Sequence, residues 1–263
     1  MKIVFRFLFL LIIVVFVTNC ARTGRPDGGP KDEDAPLFVI AKPANETINF
    51  NKKEIIIEFD EYIKLKDINK QLVVSPPMKS PPIISPQGTA SKEIKIEIID
   101  TLKPNTTYIF NFGNAVEDNN ERNVLENFKY VFSTGTYIDS LKTSGTIKDA
   151  ILQEKPKDVS VLLYRLDSSF NDSIIYKQKP NYVTNNIDTV GFQFTNLRKG
   201  KYLLLALQEN IKDYIFDPTT DKIGFYTDTI QLPRDSILTK PIILFKENQP
   251  YQFARGKEIT KGK

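Results

Sequence analysis

The sequence predicts an all-β protein made of two antiparallel β-sandwich domains, which follow a signal peptide and a flexible tether. Short segments from Leu37 onward alternate apolar and polar residues with a period of two, as half-buried strands do. Clusters of Pro, Asn and Gly separate these segments. No segment keeps a helical period beyond about ten residues, and the best helix candidate, Lys64–Leu72, covers one or two turns.

Residues 1–19 predict a lipoprotein signal peptide. Lys2 and Arg6 make the start basic, and the run from Phe7 to Val17 contains no polar side chain. Such a run fits the roughly 7–15 apolar residues of a signal peptide and is shorter than the about 20 residues that span a bilayer. The alternative, a buried N-terminal strand or helix, would require polar residues to alternate with the apolar ones.

The single cysteine, Cys20, stands just after this run. Val17-Thr18-Asn19-Cys20 resembles the lipobox of bacterial lipoproteins, although Asn19 occupies the position of the usual small residue. The resemblance implies cleavage between Asn19 and Cys20, acylation of Cys20, and anchoring in the outer membrane through this lipid. Each buried methylene of an acyl chain stabilises such an anchor by about 0.8 kcal/mol. The alternative for Cys20 is an ordinary buried thiol.

The composition excludes several classes of site. Lys and Arg number 36 and Asp and Glu number 32, a net charge of +4 with the two signs interspersed. No basic stripe with interleaved aromatic residues is present, so nucleic acid is not a predicted partner. The chain has no histidine, which excludes Ser-His and Cys-His catalytic sites and, with one cysteine, a Cys/His zinc site or an intrachain disulfide. We therefore expect neither an enzyme nor a cofactor.

The expected domain order begins with residues 20–35, the lipidated cysteine and a tether rich in Gly, Pro and charge. Residues 36–136 form the first predicted domain, with strand-like segments at Glu54–Asp60, Lys92–Ile99, Thr107–Gly113 and Asn127–Thr134. Ser75–Pro86 contains too many prolines for a central strand, and we expect an edge strand or a loop there.

Residues 142–246 form the second predicted domain, joined to the first near Thr134–Gly145. Its strand-like segments are Asp158–Leu166, Thr189–Leu197, Lys201–Leu207 and Phe225–Leu232. The two halves do not look like copies of each other. Residues 247–263 are expected to be a tail that opens a further domain, which would make this chain a fragment or a truncated paralogue.

Two motifs resemble known domains. Leu102–Gly135 resembles the closing half of a bacterial Ig-like domain of the S-layer kind; the matching residues are Leu102, Pro104, Thr106, Tyr108, Asp118 and Phe132-Ser133-Thr134-Gly135. That resemblance implies that Tyr108 bonds backbone at a corner of the sandwich. Phe192–Leu207 is similar to the prealbumin-like sandwiches appended to carboxypeptidases, which implies a hairpin turn at Gly200 and a core strand that starts at Tyr202.

The combination of "CAR", "GGPKD", "FDEYIKLKD", "FKYVFSTG" and "FDPTTDKIGF" looks like the Ig-like-domain lipoproteins of Bacteroidota. That resemblance covers nearly the whole chain but implies no particular chemistry. It implies an envelope protein in which an Ig-like sandwich precedes a prealbumin-like one.

Candidate sites in the loops are acidic or aromatic. Asp213, Asp217 and Asp221 lie four residues apart, a spacing that would suit calcium, and the alternative is a solvated turn. Glu117–Asn123 has the same two interpretations. Asp60-Glu61 and Glu117-Asp118 could supply the two carboxyl groups that a glycosidase needs across a cleft, and the alternative is that these acids at strand ends lie on the surface. Tyr62, Tyr137 and Tyr182 are candidates for exposed aromatic residues that stack on sugars or partner proteins, and the alternative is packing in the core or at its rim.

We therefore expect a non-catalytic outer-membrane lipoprotein with a structural or adhesive role, which docks envelope proteins or glycans through loops. One alternative is a hydrolase, or a hydrolase accessory, that acts on envelope glycans. A cleft with paired carboxylates of raised pKa would favour it. The other alternative is a subunit of a larger export or surface assembly, which an exposed apolar edge or patch would favour.

Overall fold

A computed structural model describes residues 31–168, 170–186 and 190–247 of the chain. The predicted signal peptide, Asn19 and Cys20, most of the predicted tether and nearly all of the predicted tail lie outside these residues. Within the described ranges, no helix has the length and apolar character needed to cross a membrane.

Eight strands form two sheets in the first half of the described chain. The larger sheet has the order β1-β2-β5-β4, with β7 pairing to the end of β2, and the smaller sheet has the order β3-β6-β8. The strands are β1 Phe38–Lys42, β2 Glu54–Leu65, β3 Val73–Ser75, β4 Ile83–Ser85, β5 Ser91–Glu97, β6 Thr107–Asn111, β7 Val116–Asp118 and β8 Lys129–Ser133.

The alternating segments supply the core between these two sheets, as predicted. Their inward residues are almost fully buried in one cluster: Ile55, Ile57, Phe59, Ile94, Ile96, Ile98, Tyr108, Phe110, Phe112, Tyr130 and Phe132. The proline-dense segment Ser75–Pro86 contributes the last residue of β3 and all of β4, and both strands lie at the edge of their sheets, which confirms that prediction. The predicted helix is a single turn, α1 (Ile68–Gln71), because Lys64 and Leu65 still belong to β2.

Eight further strands form the second sandwich. One sheet has the order β11-β10-β13-β14 with β15 also pairing to β13, and the other has the order β12-β9-β16. The elements are β9 Leu141–Asp149, β10 Ser160–Arg165, a 3₁₀ helix Asp172–Tyr176, β11 Tyr182–Asn185, β12 Gly191–Leu197, β13 Gly200–Gln208, β14 Lys222–Phe225, β15 Ile230–Leu232 and β16 Ile242–Leu244. The all-β prediction is confirmed, with β16 running parallel to β9 as an exception to the antiparallel pattern.

Two local predictions in this sandwich are wrong. Gly200 does not make a hairpin, because β12 pairs with β9 whereas β13 pairs with β10, so the link between β12 and β13 crosses from one sheet to the other. The predicted strand Phe225–Leu232 is divided into the end of β14 and β15. Both pieces pair with the long strand β13, at different positions along it.

Asp149 fixes the loop after β9. Its Oδ1 accepts hydrogen bonds from the N–H groups of Ile151 and Leu152, both at 2.9 Å, and its Oδ2 lies 2.6 Å from Lys222 Nζ. Burial by itself would raise the pKa of Asp149. The backbone N–H groups and the Lys222 ammonium overcome that effect and hold the pKa at about 2.

The two sandwiches pack against each other through a shared apolar cluster. Val73 of β3 lies in a buried cluster whose other members come from the second sandwich, among them Val183 and Leu205. Beside it, the N–H of Val183 donates to Ser75 Oγ at 3.1 Å. The described residues from Asp34 onward accordingly belong to one compact unit.

Candidate functional site

A partly buried ion pair lies at one end of the contact between the two sandwiches. The link between β12 and β13 carries Arg198, whose Nη2 lies 3.2 Å from Asp139 Oδ2 and whose Nε lies 3.3 Å from Asp139 Oδ1. The Asp139 side chain is only 5% exposed and also accepts a hydrogen bond from Thr107 Oγ1 at 3.0 Å. Arg198 Nη2 donates as well to the carbonyl of Asn105 at 2.5 Å, so it bonds the first sandwich directly.

Aromatic residues support the Arg198 link. Tyr202 is fully buried, and its hydroxyl donates to the carbonyl of Arg198 at 2.7 Å. Tyr182 lies edge-on to Tyr202, and the guanidinium carbon of Arg198 lies 5.9 Å from the centre of the Tyr137 ring. The hydrogen bonds that Arg198 donates to the Asp139 carboxylate raise the pKa of Arg198. We call Arg198, Asp139, Thr107 and Asn105 the interdomain clamp.

A groove of about 850 Å³ lies between the two sandwiches. The first sandwich contributes the end of β6, the turn after it and the start of β8. The second contributes the middle of β9, the end of β11 and the start of β12. This interdomain groove has a volume within the usual range for ligand-binding clefts, about 300–1,000 Å³.

Amides and hydroxyls dominate the lining of the interdomain groove. Gln193 and Asn127 are exposed, and Asn114 and Asn185 are half-buried. The side chains of these four residues make no hydrogen bond to any other residue that the structure describes, so they can bond a ligand. Asn186, in contrast, is buried, and its side-chain amide is already hydrogen-bonded. Its Oδ1 accepts from Val159 N–H, and its Nδ2 donates to the carbonyl of Pro156.

An apolar floor lies beneath these polar groups. A Cβ on Gly145 would lie 2.8 Å from the ring of Phe192 and 3.3 Å from Leu238 Cβ, so glycine is needed for Phe192 to reach the backbone of β9. Phe192 is 5% exposed, whereas Ile237 at the rim is 77% exposed. The floor therefore offers a small apolar contact and no open aromatic face.

Two charged side chains line the groove, Glu126 and Lys129. Burial, together with the neighbouring Lys142 ammonium, lowers the pKa of Lys129. Glu126 is the one carboxylate among the lining residues that the structure describes.

The three aspartates proposed for calcium each accept hydrogen bonds within their own loop. Asp213 Oδ1 accepts from Ile215 N–H, Asp217 Oδ1 from Thr219 N–H, and Asp221 Oδ2 from Asp217 N–H. In the described part of the chain, no three Asp, Glu, Cys or His side chains gather as metal ligands would. The calcium site stays a prediction.

The other acidic candidates do not line the interdomain groove. The Asp118 carboxylate accepts from the N–H groups of Asn120, Glu121 and Asn123 at 2.5–3.0 Å and so shapes its own loop. Burial alone would raise the pKa of Asp118, but these N–H groups lower it. Asp60 Oδ1 accepts from Leu37 N–H, near the exposed first strand.

Of the aromatic candidates, Tyr62 is 58% exposed and lies under the Lys92 ammonium. Tyr137 and Tyr182 belong to the surroundings of the clamp. The predicted corner at Tyr108 is confirmed, because Lys103 N–H donates to its hydroxyl oxygen at 2.9 Å. Sequence reasoning had not singled out any residue of the clamp or of the groove as a site.

Comparison with known proteins identifies the first sandwich. Residues 32–134 match the family model described as a bacterial Ig-like domain. This part of the chain is a bacterial Ig-like domain. Domains of this kind are typical of cell-surface and envelope proteins. No curated protein matches the chain.

Solved structures with some similarity include the major pilin subunit BcpA of Bacillus cereus, at 12% identity and a TM-score of 0.26 over 80% of this chain and 70% of that one. The N-terminal part of the bacterial S-layer protein SbsC matches at 10% identity and a TM-score of 0.26, over 78% and 45%. An L,D-transpeptidase from Mycobacterium smegmatis matches at 10% identity and a TM-score of 0.24, over 80% of this chain and 89% of that one. These likenesses are too weak to indicate function.

Proposed function

We propose that this protein is a non-catalytic docking module of the cell envelope, anchored in the outer membrane by lipid on Cys20. The interdomain groove is its docking site, and envelope proteins or glycans are its partners. The bacterial Ig-like domain at residues 32–134 supports an envelope role. The prealbumin-like character of the second sandwich belongs to the same proposal.

One observation carries the proposal: two sandwiches of one compact unit form the walls of a groove whose lining contains side-chain amides that bond no other described residue. The interdomain clamp and the shared cluster around Val73 fix the distance between these walls. A rigid groove loses little conformational entropy when a ligand binds, which favours docking.

The hydrolase alternative has less support. Glycoside hydrolysis usually needs two carboxyl groups about 5–9.5 Å apart across the cleft. Among the described residues that line the groove, Glu126 stands without a second carboxylate.

The assembly alternative rests on a different surface. Strand β1 is at the edge of its sheet, and the four consecutive residues Leu37–Ile40 are exposed, with Val39 at 54%. An exposed apolar edge strand can pair with a strand of another chain.

Anchoring is tested first, by intact mass and fractionation of the wild type and of Cys20→Ala. We expect the wild type to lose residues 1–19, to gain acyl mass and to sediment with membranes. Cys20→Ala should show neither modification and should appear in the soluble fraction. A wild-type chain of unmodified mass in the soluble fraction would refute the anchor.

Docking is tested by site-specific cross-linking in cells. The sequence contains one cysteine, Cys20, and acylation is expected to block its thiol. A Gln193→Cys variant therefore carries one free thiol, which lies in the groove. Val39→Cys places the thiol on β1, and Gln153→Cys places it on an exposed loop as the matched control. We expect adducts from Gln193→Cys alone. Adducts from Val39→Cys alone would favour the assembly alternative, and equal labelling from all three positions would contradict docking in the groove.

A further inference from the structure

The interdomain groove has a chemical character that narrows the class of its ligand. We infer that it binds an oligosaccharide that carries acetamido groups. This inference rests on the proposed docking function and names the ligand class for the same site.

The free polar groups of the groove match those of a sugar. A side-chain amide offers two donors and a carbonyl acceptor, and a sugar hydroxyl can both donate and accept. Gln193, Asn114, Asn127 and Asn185 come from both walls of the groove, and their side-chain amides bond no other residue that the structure describes. A hydroxyl-rich chain lying between the walls can satisfy all four, since each ring presents several hydroxyls on different sides.

The apolar floor favours acetamido groups over plain hydroxyls. Phe192 is nearly covered, so a sugar ring cannot stack on its face, and the exposed apolar contact is limited to Ile237 and the edge of the floor. A contact of that size suits a methyl group. The amide of an acetamido group can bond a neighbouring Asn or Gln while its methyl group contacts the floor.

An extended peptide fits the groove less well. A peptide would add to the free edge of a strand through backbone hydrogen bonds. The backbone of β12 already pairs with β9, and on its other side the carbonyl of Gln193 accepts a hydrogen bond from Thr184 Oγ1 at 3.0 Å. The groups that both walls offer to a ligand are side-chain amides, and these recognise a polar ligand of irregular shape.

The test is calorimetric titration of the detergent-solubilised full chain. The probes are chito-oligosaccharides, which carry an acetamido group on every ring, and malto-oligosaccharides, which carry hydroxyls alone. We expect saturable binding of chito-oligosaccharides and at least tenfold weaker binding of malto-oligosaccharides. Gln193→Ala and Asn114→Ala should each weaken the binding by about three- to tenfold, because each removes an amide that bonds the ligand.

Gln153→Ala is the matched control, since it removes an exposed amide outside the groove, and it should leave the affinity unchanged. Unaltered thermal unfolding of Gln193→Ala and Asn114→Ala would show that a loss of affinity is not a loss of folding. If neither probe binds, or if both groove variants bind as the wild type does, the inference is wrong. In that event, groove adducts from Gln193→Cys would still support docking of another partner, whereas their absence would refute the docking function too.

Discussion

Replacement of Arg198 by methionine tests whether the interdomain clamp holds the two sandwiches together. Methionine keeps an unbranched apolar chain of similar reach and removes the charge and all donors. The change leaves the Asp139 carboxylate, 5% exposed, with the Thr107 hydroxyl as its remaining side-chain donor, and it leaves the Asn105 carbonyl without the Arg198 bond.

The expected loss in free energy of unfolding is about 2–3 kcal/mol. Removal of one partner of a buried ion pair typically costs about 3–5 kcal/mol, because the other charge stays buried and uncompensated. Two features place this pair at or below the lower end of that range. The Arg198 side chain is 32% exposed, so water can approach the space that it vacates, and the Thr107 hydrogen bond to Asp139 persists.

Denaturant unfolding measures this loss, with the surface pair Lys95–Glu54 as the control. Lys95 Nζ lies 2.6 Å from Glu54 Oε2, but both side chains are about half exposed, so Lys95→Met should cost clearly less stability than Arg198→Met. The double variant Arg198→Met with Asp139→Leu should regain most of the lost stability, because no buried charge remains. If Arg198→Met is no more costly than Lys95→Met, the clamp does not stabilise the contact between the sandwiches.

Two further predictions concern the far end of the second sandwich. Asp149→Asn should lower the free energy of unfolding by about 1–2 kcal/mol near pH 7. Because the folded pKa of about 2 lies below the usual 3.8, this contribution exists above about pH 4 and disappears as pH falls towards 2, so unfolding curves of wild type and variant should converge there. Gly224→Ala would place a Cβ 2.5 Å from the carbonyl oxygen of Ile243, so the pairing of Ile223 with Phe245 must open. We expect a loss of about 1–3 kcal/mol and faster hydrogen exchange at those two amides, and unchanged exchange would contradict this account.

The sequence allowed prediction of the strands and of much of the core. Buried apolar residues alternate with less buried ones around Ile55, Ile57 and Phe59, and again around Ile94 and Ile96. Each of these patterns can be read within a single strand. A strand with one buried face must show this period whatever it pairs with. Local pattern was therefore enough to recognise the first sandwich.

Strand pairing could not be predicted in the same way. The short segment around Gly200 is compatible with a hairpin and with a link that crosses between sheets, and the neighbours of β13 decide between the two. Residues that make up the clamp also lie far apart in sequence, since Arg198 and Asp139 are 59 residues apart. Neither position shows a local pattern that distinguishes it from other surface Arg and Asp residues.

One local signal did indicate a second buried face on the smaller sheet of the Ig-like domain. In β6, Ile109 stands between Tyr108 and Phe110, where simple alternation calls for a polar residue. Ile109 is 7% exposed and, with Val183 and Phe194 of the second sandwich, lines a small gap between the sandwiches. An apolar residue on the outer face of a strand predicts that another layer covers that face. Two residues further along β6, the same outer face carries the polar residue Asn111, which lines the interdomain groove. The groove therefore begins where the outer face of β6 changes from apolar to polar.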